Sequence, residues 1–493
     1  MGRRRLVGFC ASLAAICAGC AVGPDFVRPE PPAIDRYTYG APPVSTIPAD
    51  GRAQRFDAGG HVIEGWWRLF GSPRMDAVIA EAFANNPTAQ AAQASLRRSQ
   101  ELLRAGYGVF FPQIDGGFDA TRQRYNPIRV GQALVPSSIF NLFTLSATVS
   151  YTLDVFGGQR RAIEDLHAQV DASGYTLQAT YLTLSGNIVN AVIAQAAYAE
   201  QIRTTEALIG MQREQLQVTE AQANAGTVAF VNVLSVQSLL AATEATLPAL
   251  RQKLAQTEHL LATLAGRAPA AWRPEPVELT AIALPPDLPV TLPSELVRQR
   301  PDILIAEAQV HSSSAQIGVA TAALLPSVTL NGTYGIGNAS IGDLFKDASA
   351  FWSYGATINT PLFHGGTLWF QRKAALEAYQ QSLASYRQTV LGAFAQVADA
   401  LRALEHDAEA VAAQARAAAA AEEALRLIQF NYAAGTANYL QVLIADTQYE
   451  QARLGYVQAV AQRLQDTVGL FVALGGGWWN AESDVSTPRG SGT

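Results

Sequence analysis

The chain has 493 residues, a net charge of −6, 49% hydrophobic residues and 15% charged ones. Its lysines and arginines are scattered and the balance is acidic, which excludes a basic surface built for nucleic acid. After residue 20 no run is expected to reach the roughly 18 apolar residues of a membrane-spanning helix. The alanine-rich stretch 412–421 is too small in side-chain size and too charged at its flanks.

The N-terminus carries an address. Arg3, Arg4 and Arg5 precede an apolar run over 6–16, and Ala18-Gly19-Cys20 closes it. Small residues before a cysteine are the pattern of a lipoprotein signal, whose cysteine becomes the acylated first residue. Residues 1–19 are therefore read as a signal peptide and Cys20 as the lipidation site. Cys17 stands where a leucine is usual, and an ordinary signal peptide with an incidental cysteine is the alternative. Cleavage removes Cys10 and Cys17, leaving no disulfide framework. The proline-rich stretch that follows is read as extended.

Helical runs are expected at 75–106, 159–224, 230–264, 293–324, 367–434 and 439–474. The two longest runs, 159–224 and 367–434, hold no proline and only scattered glycines, and each is about 100 Å at 1.5 Å per residue. Each pair of shorter runs sums to roughly one long helix, so two short helices stacked end to end beside each long one is the economical arrangement. Gly226 and Gly435 fit the C′ position that ends a long helix with positive φ, and Thr227 and Thr436 fit the N-cap of the helix that returns.

Four short segments alternate with period two. Phe143, Leu145, Ala147, Val149, Tyr151 and Leu153 oppose a row of hydroxyls ending in Asp154. Ile114, Gly116, Phe118 and Ala120 form a second stripe. Val328, Leu330 and Tyr334 form a third, and Trp352, Tyr354, Ala356 and Ile358 a fourth. Each is about the ten residues that cross an outer membrane at a tilt, with lipid on one face and a wet lumen on the other. A soluble half-buried sheet is the competing reading. Four strands cannot close a barrel, and unpaired edges are not tolerated in lipid, so several chains would have to pool them. The stretches 125–141 and 337–350 would be the outer loops.

The whole pattern occurs twice. Asn86-Pro87 precedes Phe111-Pro112 by 25 residues, as Arg300-Pro301 precedes Leu325-Pro326; Phe156-Gly157-Gly158 recurs as Phe363-His364-Gly365-Gly366, and Ala225-Gly226-Thr227 as Ala434-Gly435-Thr436. This divides the chain into a signal peptide (1–19), an extended N-terminal segment (20–73), a first repeat (74–266), a proline-rich crossover (267–292), a second repeat (293–475) and a tail (476–493). Each repeat reads helix, two strands, long helix, helix. No phosphate-binding GxxxxGK, GxSxG elbow or HExxH is present, and the six histidines do not cluster at ligand spacing. No catalytic residue, cofactor or metal is expected.

Three blocks carry a resemblance. They are Gly19-Cys20-Ala21-Val22-Gly23-Pro24-Asp25-Phe26 with Pro29, Trp66-Trp67-Arg68-Leu69-Phe70 with Pro73, and Leu292-Pro293-Ser294-Glu295-Leu296 running into Arg300-Pro301-Asp302-Ile303, Ala306-Glu307 and Ile317-Gly318-Val319-Ala320. They resemble the TolC-like outer-membrane efflux family, in particular its NodT-like lipoprotein branch serving RND-type multidrug pumps, over residues 18 to about 479. The resemblance implies a membrane protein: an internally duplicated β/α-barrel, trimeric, with a 12-stranded outer-membrane β-barrel of four strands per chain continuing into a long periplasmic α-helical barrel. The segment 20–73 then includes an equatorial region.

The function implied is the exit duct of a tripartite efflux pump, lipid-anchored in the outer membrane and passively conducting small toxic compounds and antibiotics. Its partners would be two further copies, a periplasmic adaptor (membrane fusion) protein and an inner-membrane RND or MFS pump. Gly226, Thr227, Val231 and Leu234 at one tip, with Gly435, Thr436, Leu440 and Leu443 at the other, are the expected adaptor contacts. Phe143, Leu145, Val149, Tyr151, Trp352 and Tyr354 are expected to face lipid. In this family helix residues just past the second tip narrow the inner end, often with an aspartate after a leucine pair. Here Asp446 is the aperture candidate, but it lies two positions late, about 200° around the helix, and is expected as a solvated outer-face carboxylate. A duct for type I protein secretion and a non-conducting coiled-coil lipoprotein are the alternatives.

Overall fold

The computed structural model describes residues 21–40, 44–125 and 137–480; the signal sequence and Cys20 lie outside them. In chain order the elements are β1 (Arg55–Ala58), α1 (Pro73–Asn85), α2 (Pro87–Gly106), β2 (Gln113–Tyr125), β3 (Ser138–Leu153) and α3 (Gly158–Asn224). They continue with α4 (Phe230–Glu244), α5 (Leu247–Leu264), β4 (Asp287–Val290), α6 (Pro293–Gln299) and α7 (Pro301–Ala322). The last are β5 (Ser327–Asn338), β6 (Ala350–Asn359), α8 (Thr367–Ala433) and α9 (Tyr439–Ala473). The two long helices, α3 and α8, have 67 residues each.

Three expected helices are each divided in two. Asn86 and Arg300 adopt extended backbone ahead of Pro87 and Pro301, because a proline disfavours helical geometry in the residue before it and brings no N–H donor. Asn86 turns the first break into a cap: its Oδ1 accepts from the N–H of Thr88 at 2.8 Å and of Ala89 at 3.2 Å, and its Nδ2 donates to the Leu264 carbonyl. The third break falls at Ala245 and Thr246, just before Pro248. Taken together, 230–264 is apolar enough by length and composition to cross a membrane, with a mean hydropathy of 1.3 in its best window. That corrects the expectation that no such stretch exists.

The chain divides into two compact units, each drawing on both halves of the sequence. The first comprises residues up to Pro29, Leu96–Ser173 and Ala306–Tyr386. Its centre is an antiparallel sheet in the order β2-β3-β5-β6. A strap at 21–28 is pinned beside it by Arg161, which is buried. That guanidinium donates to the carbonyls of Val22 and Gly23, and pairs with Asp25 and Glu164 at 2.7 Å each. Phe26 stacks on His311 with centroids 4.3 Å apart, and Arg28 pairs with Glu307. Gly23 lies against Gly318 so closely that a Cβ on the former would sit 2.4 Å from the latter's Cα.

The second unit comprises Glu30–Ser95, Gly174–Ile305 and the residues from Arg387 onward. β1 and β4 pair in parallel. Trp66 is fully buried against Phe471, ring centroids 5.3 Å apart, with Phe70 edge-on to both. Arg300 forks onto Asp302 and donates to the Ala473 carbonyl at 2.9 Å, closing the C-terminal end of α9. A buried guanidinium on an orphan helix carbonyl is a favourable end to a helix dipole. Two of the three family-like blocks thus have plain packing roles in this unit.

Candidate functional site

The sheet places every apolar stripe on one face. Residues directly opposite in antiparallel strands share a face, and the register sets Leu145 opposite Phe118 and Ile336, and Val149 opposite Ile114 and Gly332. Tyr334 lies opposite Ala147 and Trp352, and Tyr354 opposite Gly332. All six residues expected to meet lipid (Phe143, Leu145, Val149, Tyr151, Trp352, Tyr354) fall on this face. It is open to the surroundings in the single chain: Ile114 is 71% exposed and Tyr354 82%. Trp352 and Tyr354 stack with centroids 5.5 Å apart.

The other face is polar. Asp115, Thr148, Thr333 and Ser353 form one row across the sheet, and Ser150 aligns with Gln113 and Asn331. The hydroxyls of Thr152 and Thr329 bond at 3.1 Å. Phe351, lying over Gly335 and Gly337, is an aromatic exception, and Phe140 and Leu142 fall on this face opposite Gln123 and Thr121. β2 and β3 pair out to Tyr125 and Ser138, so both strands run further than the sequence boundaries placed them. Among the described residues, β2 and β6 each pair on one side only.

In the second unit the two helix ends have one geometry. At Gly226 (φ 72°) the Thr227 N–H bonds to the Gln222 carbonyl and the Gly226 N–H to that of Ala223. At Gly435 (φ 76°) Thr436 and Gly435 repeat this onto Asn431 and Tyr432. Both are Schellman closures with glycine at C′, as expected. The threonines differ from expectation. Their hydroxyls donate backward to the Gln222 and Asn431 carbonyls, at 2.8 and 3.0 Å. They close the ending helix because its last carbonyls lack partners. The following N-caps are Ala229 and Asn438, the latter in a capping box with Gln441.

Beyond these ends the apolar residues separate. Val231 and Leu440 are each 62% exposed and Leu234 half exposed, and Phe230, next to Val231, and Phe430, near the end of α8, are exposed as well. Leu443 instead packs inward on the cluster of Val236, Tyr439 and Val442. Asp446 is not the solvated carboxylate expected from its helical angle. It is 7% exposed and accepts a 2.9 Å hydrogen bond from Gln212 Nε2 on α3. Burial raises its pKa, partly offset by that bond. The sequence could not reveal this, because the donor is 234 residues away.

The family model described as "Outer membrane efflux protein" matches residues 78–267 and 292–476. The pyoverdine export outer membrane protein OpmQ of Pseudomonas putida is 31% identical over 416 residues, 84% of this chain and 88% of its own length. The toluene efflux pump outer membrane protein TtgC of Pseudomonas putida is 27% identical over 97% of this chain and 98% of its own. The solved structure of the outer-membrane channel OprN superposes with a TM-score of 0.83 at 27% identity, covering 93% of this chain and all of that one. With this match along both halves, an apolar sheet face and long helices closed in the same manner, the chain belongs to the outer membrane efflux protein family.

Proposed function

We propose that this chain is the exit duct of a tripartite efflux pump, carrying small toxic compounds and antibiotics passively through the outer membrane. Three copies pool four strands each into a 12-stranded barrel that continues as a periplasmic barrel of long helices. One observation carries the reading: the register of β2-β3-β5-β6 gathers four apolar stripes on one face and hydroxyls on the other, while among the described residues β2 and β6 keep open edges. An unpaired edge is not tolerated in hydrocarbon, and β6 of one copy on β2 of the next removes both.

In this reading Phe143, Leu145, Val149, Tyr151, Trp352 and Tyr354 meet lipid, and acylated Cys20 tethers the strap to the outer membrane. The chain is organised as signal peptide 1–19, N-terminal and equatorial segment 20–73, repeats 74–266 and 293–475 about the crossover 267–292, and tail 476–493. Val231, Leu234 and Leu440, with the glycine–threonine ends at Gly226-Thr227 and Gly435-Thr436 and the inward Leu443, form the surface for a periplasmic adaptor. Asp446 lies in the wall near the inner aperture. An inner-membrane RND or MFS pump selects and energises the cargo, a division supported by relatives named for cargoes as different as pyoverdine and toluene. The chain itself does no chemistry.

The test is conductance of the full-length protein in planar bilayers, with its mass measured in detergent. A trimer of small, mostly closed conductance is expected. A non-conducting monomer that leaves the membrane once Cys20 is replaced would overturn the reading.

A further inference from the structure

The second unit carries a half-open cavity of about 230 Å³ that the duct reading does not need. Its apolar wall includes Leu279, Ile282, Val411, Val457, Val460 and Leu464. Three arginines line it as well: Arg52, Arg453 and Arg463.

Arg463 is 3% exposed. Its Nε donates to Gln54 Oε1 at 3.0 Å, and its Nη2 donates to Thr46 Oγ1 at 3.1 Å and to the Arg52 carbonyl at 3.5 Å. All three acceptors are neutral, and among the described residues it has no ion-pair partner. Gln54 is itself locked by Thr467 and the Pro285 carbonyl, so this arginine is held in place rather than free to reach solvent. A buried cation is costly unless paired. Burial pushes its pKa below the ordinary value, with Asp407 and Asp50 attracting it only from beyond contact.

The acids lining the cavity are already engaged. Asp50 accepts from the Tyr456 hydroxyl, and Glu200 holds Arg203 in a fork and lies 3.6 Å from Arg453. Arg52, exposed at the mouth, has no side-chain partner among the described residues. Three cations against two committed carboxylates, on an apolar wall, leave room for one negative charge attached to an apolar body. The volume is below the roughly 300 Å³ at which pockets for drug-sized ligands begin, so the body must be small.

We propose that this cavity is a binding site for a small organic monocarboxylate, its carboxylate directed to Arg463 and Arg52 and its alkyl or aryl body against Val457, Val460 and Leu464. The inference is independent of the duct reading, since it concerns a cavity lined only by residues of the second unit of one chain.

Octanoate and octanol, which share the apolar body and differ in charge, are the probes. Each is titrated calorimetrically into the purified full-length protein in a non-ionic detergent. Saturable binding of one octanoate per chain is expected, with none from octanol at equal concentration. Arg52→Gln, which breaks no contact in the fold, should weaken octanoate about two- to fivefold, the range for one partly solvated charge. Val460→Trp, which fills the cavity without touching an arginine, should abolish binding; Leu284→Trp serves if that variant unfolds. Octanol binding as well as octanoate would remove the charge argument. Octanoate binding that survives the filling variants would move the site elsewhere. No octanoate binding to the assembled protein would mean that the cavity is closed, by a neighbouring copy or otherwise, and the proposal would fall.

Discussion

Asp446 and Gln212 illustrate how a buried polar pair behaves at the scale of single residues. Gln212 is also buried, and its amide is the donor to a carboxyl that water scarcely reaches. Replacing it alone by leucine leaves that carboxyl without a partner and should cost about 1–3 kcal/mol. Replacing both residues by leucine should cost less than Gln212→Leu alone, because no buried polar group is then orphaned. A thermal-unfolding double-mutant cycle checks this; simple additivity would mean that the bond contributes nothing. Asp407 gives a pH dependence. Burial first, and then its hydrogen bond with Asp466, raise its pKa from 3.8 to about 7. An acid that holds its proton more tightly when folded stabilises the fold at low pH, and that contribution is lost as pH rises through this window. Asp407→Asn should therefore raise the melting temperature at about pH 8 while changing little near pH 4. An equal shift at both would assign the effect to packing. None of these pairings is legible in the sequence, since each joins residues dozens to hundreds of positions apart.

Elements were far more readable than pairs. Strict alternation from Phe143 to Leu153 marks a strand because side chains project to opposite faces in turn, and β3 covers that whole stretch. The same alternation supplies a directional test. Val149→Arg puts a charge on the apolar face, where it should cost about 2–4 kcal/mol at mid-bilayer and block outer-membrane assembly. Thr148→Arg, one residue away and in the row with Asp115, should assemble normally. If both variants yield equal amounts of outer-membrane protein, the apolar face does not meet lipid. The helix breaks at Pro87, Pro248 and Pro301 depart from the continuous runs expected there, although the prolines are visible in the sequence. At Pro87 and Pro301 the residue before the proline leaves helical geometry, and at Pro248 the missing N–H falls in the first turn of α5, where no helical partner is needed. The helix ends were read correctly at Gly226 and Gly435 because positive φ is a local demand. The roles of Thr227 and Thr436 were not, because a hydroxyl can serve either neighbouring helix and only the backbone path decides.

At the scale of the molecule, the open edges of β2 and β6 are the feature to test. With Tyr354→Cys on β6, a cysteine scan along β2 should find positions that crosslink neighbouring copies under oxidation, and the ladder on a denaturing gel should stop at three chains. A ladder running beyond three would mean an open assembly, and no crosslink at any position would mean that the edges do not pair. The sequence by itself determined the repeat, the strand faces, the long helices and their glycine ends, because each depends on neighbours close in the chain or on a pattern carried along it. Only the tertiary structure decided that four stripes share one face, that Asp446 is buried on Gln212, and that Arg463 is buried on neutral acceptors beside a cavity. Those depend on register and on contacts across hundreds of residues, where small shifts in packing determine whether a charge meets water, a partner or empty space.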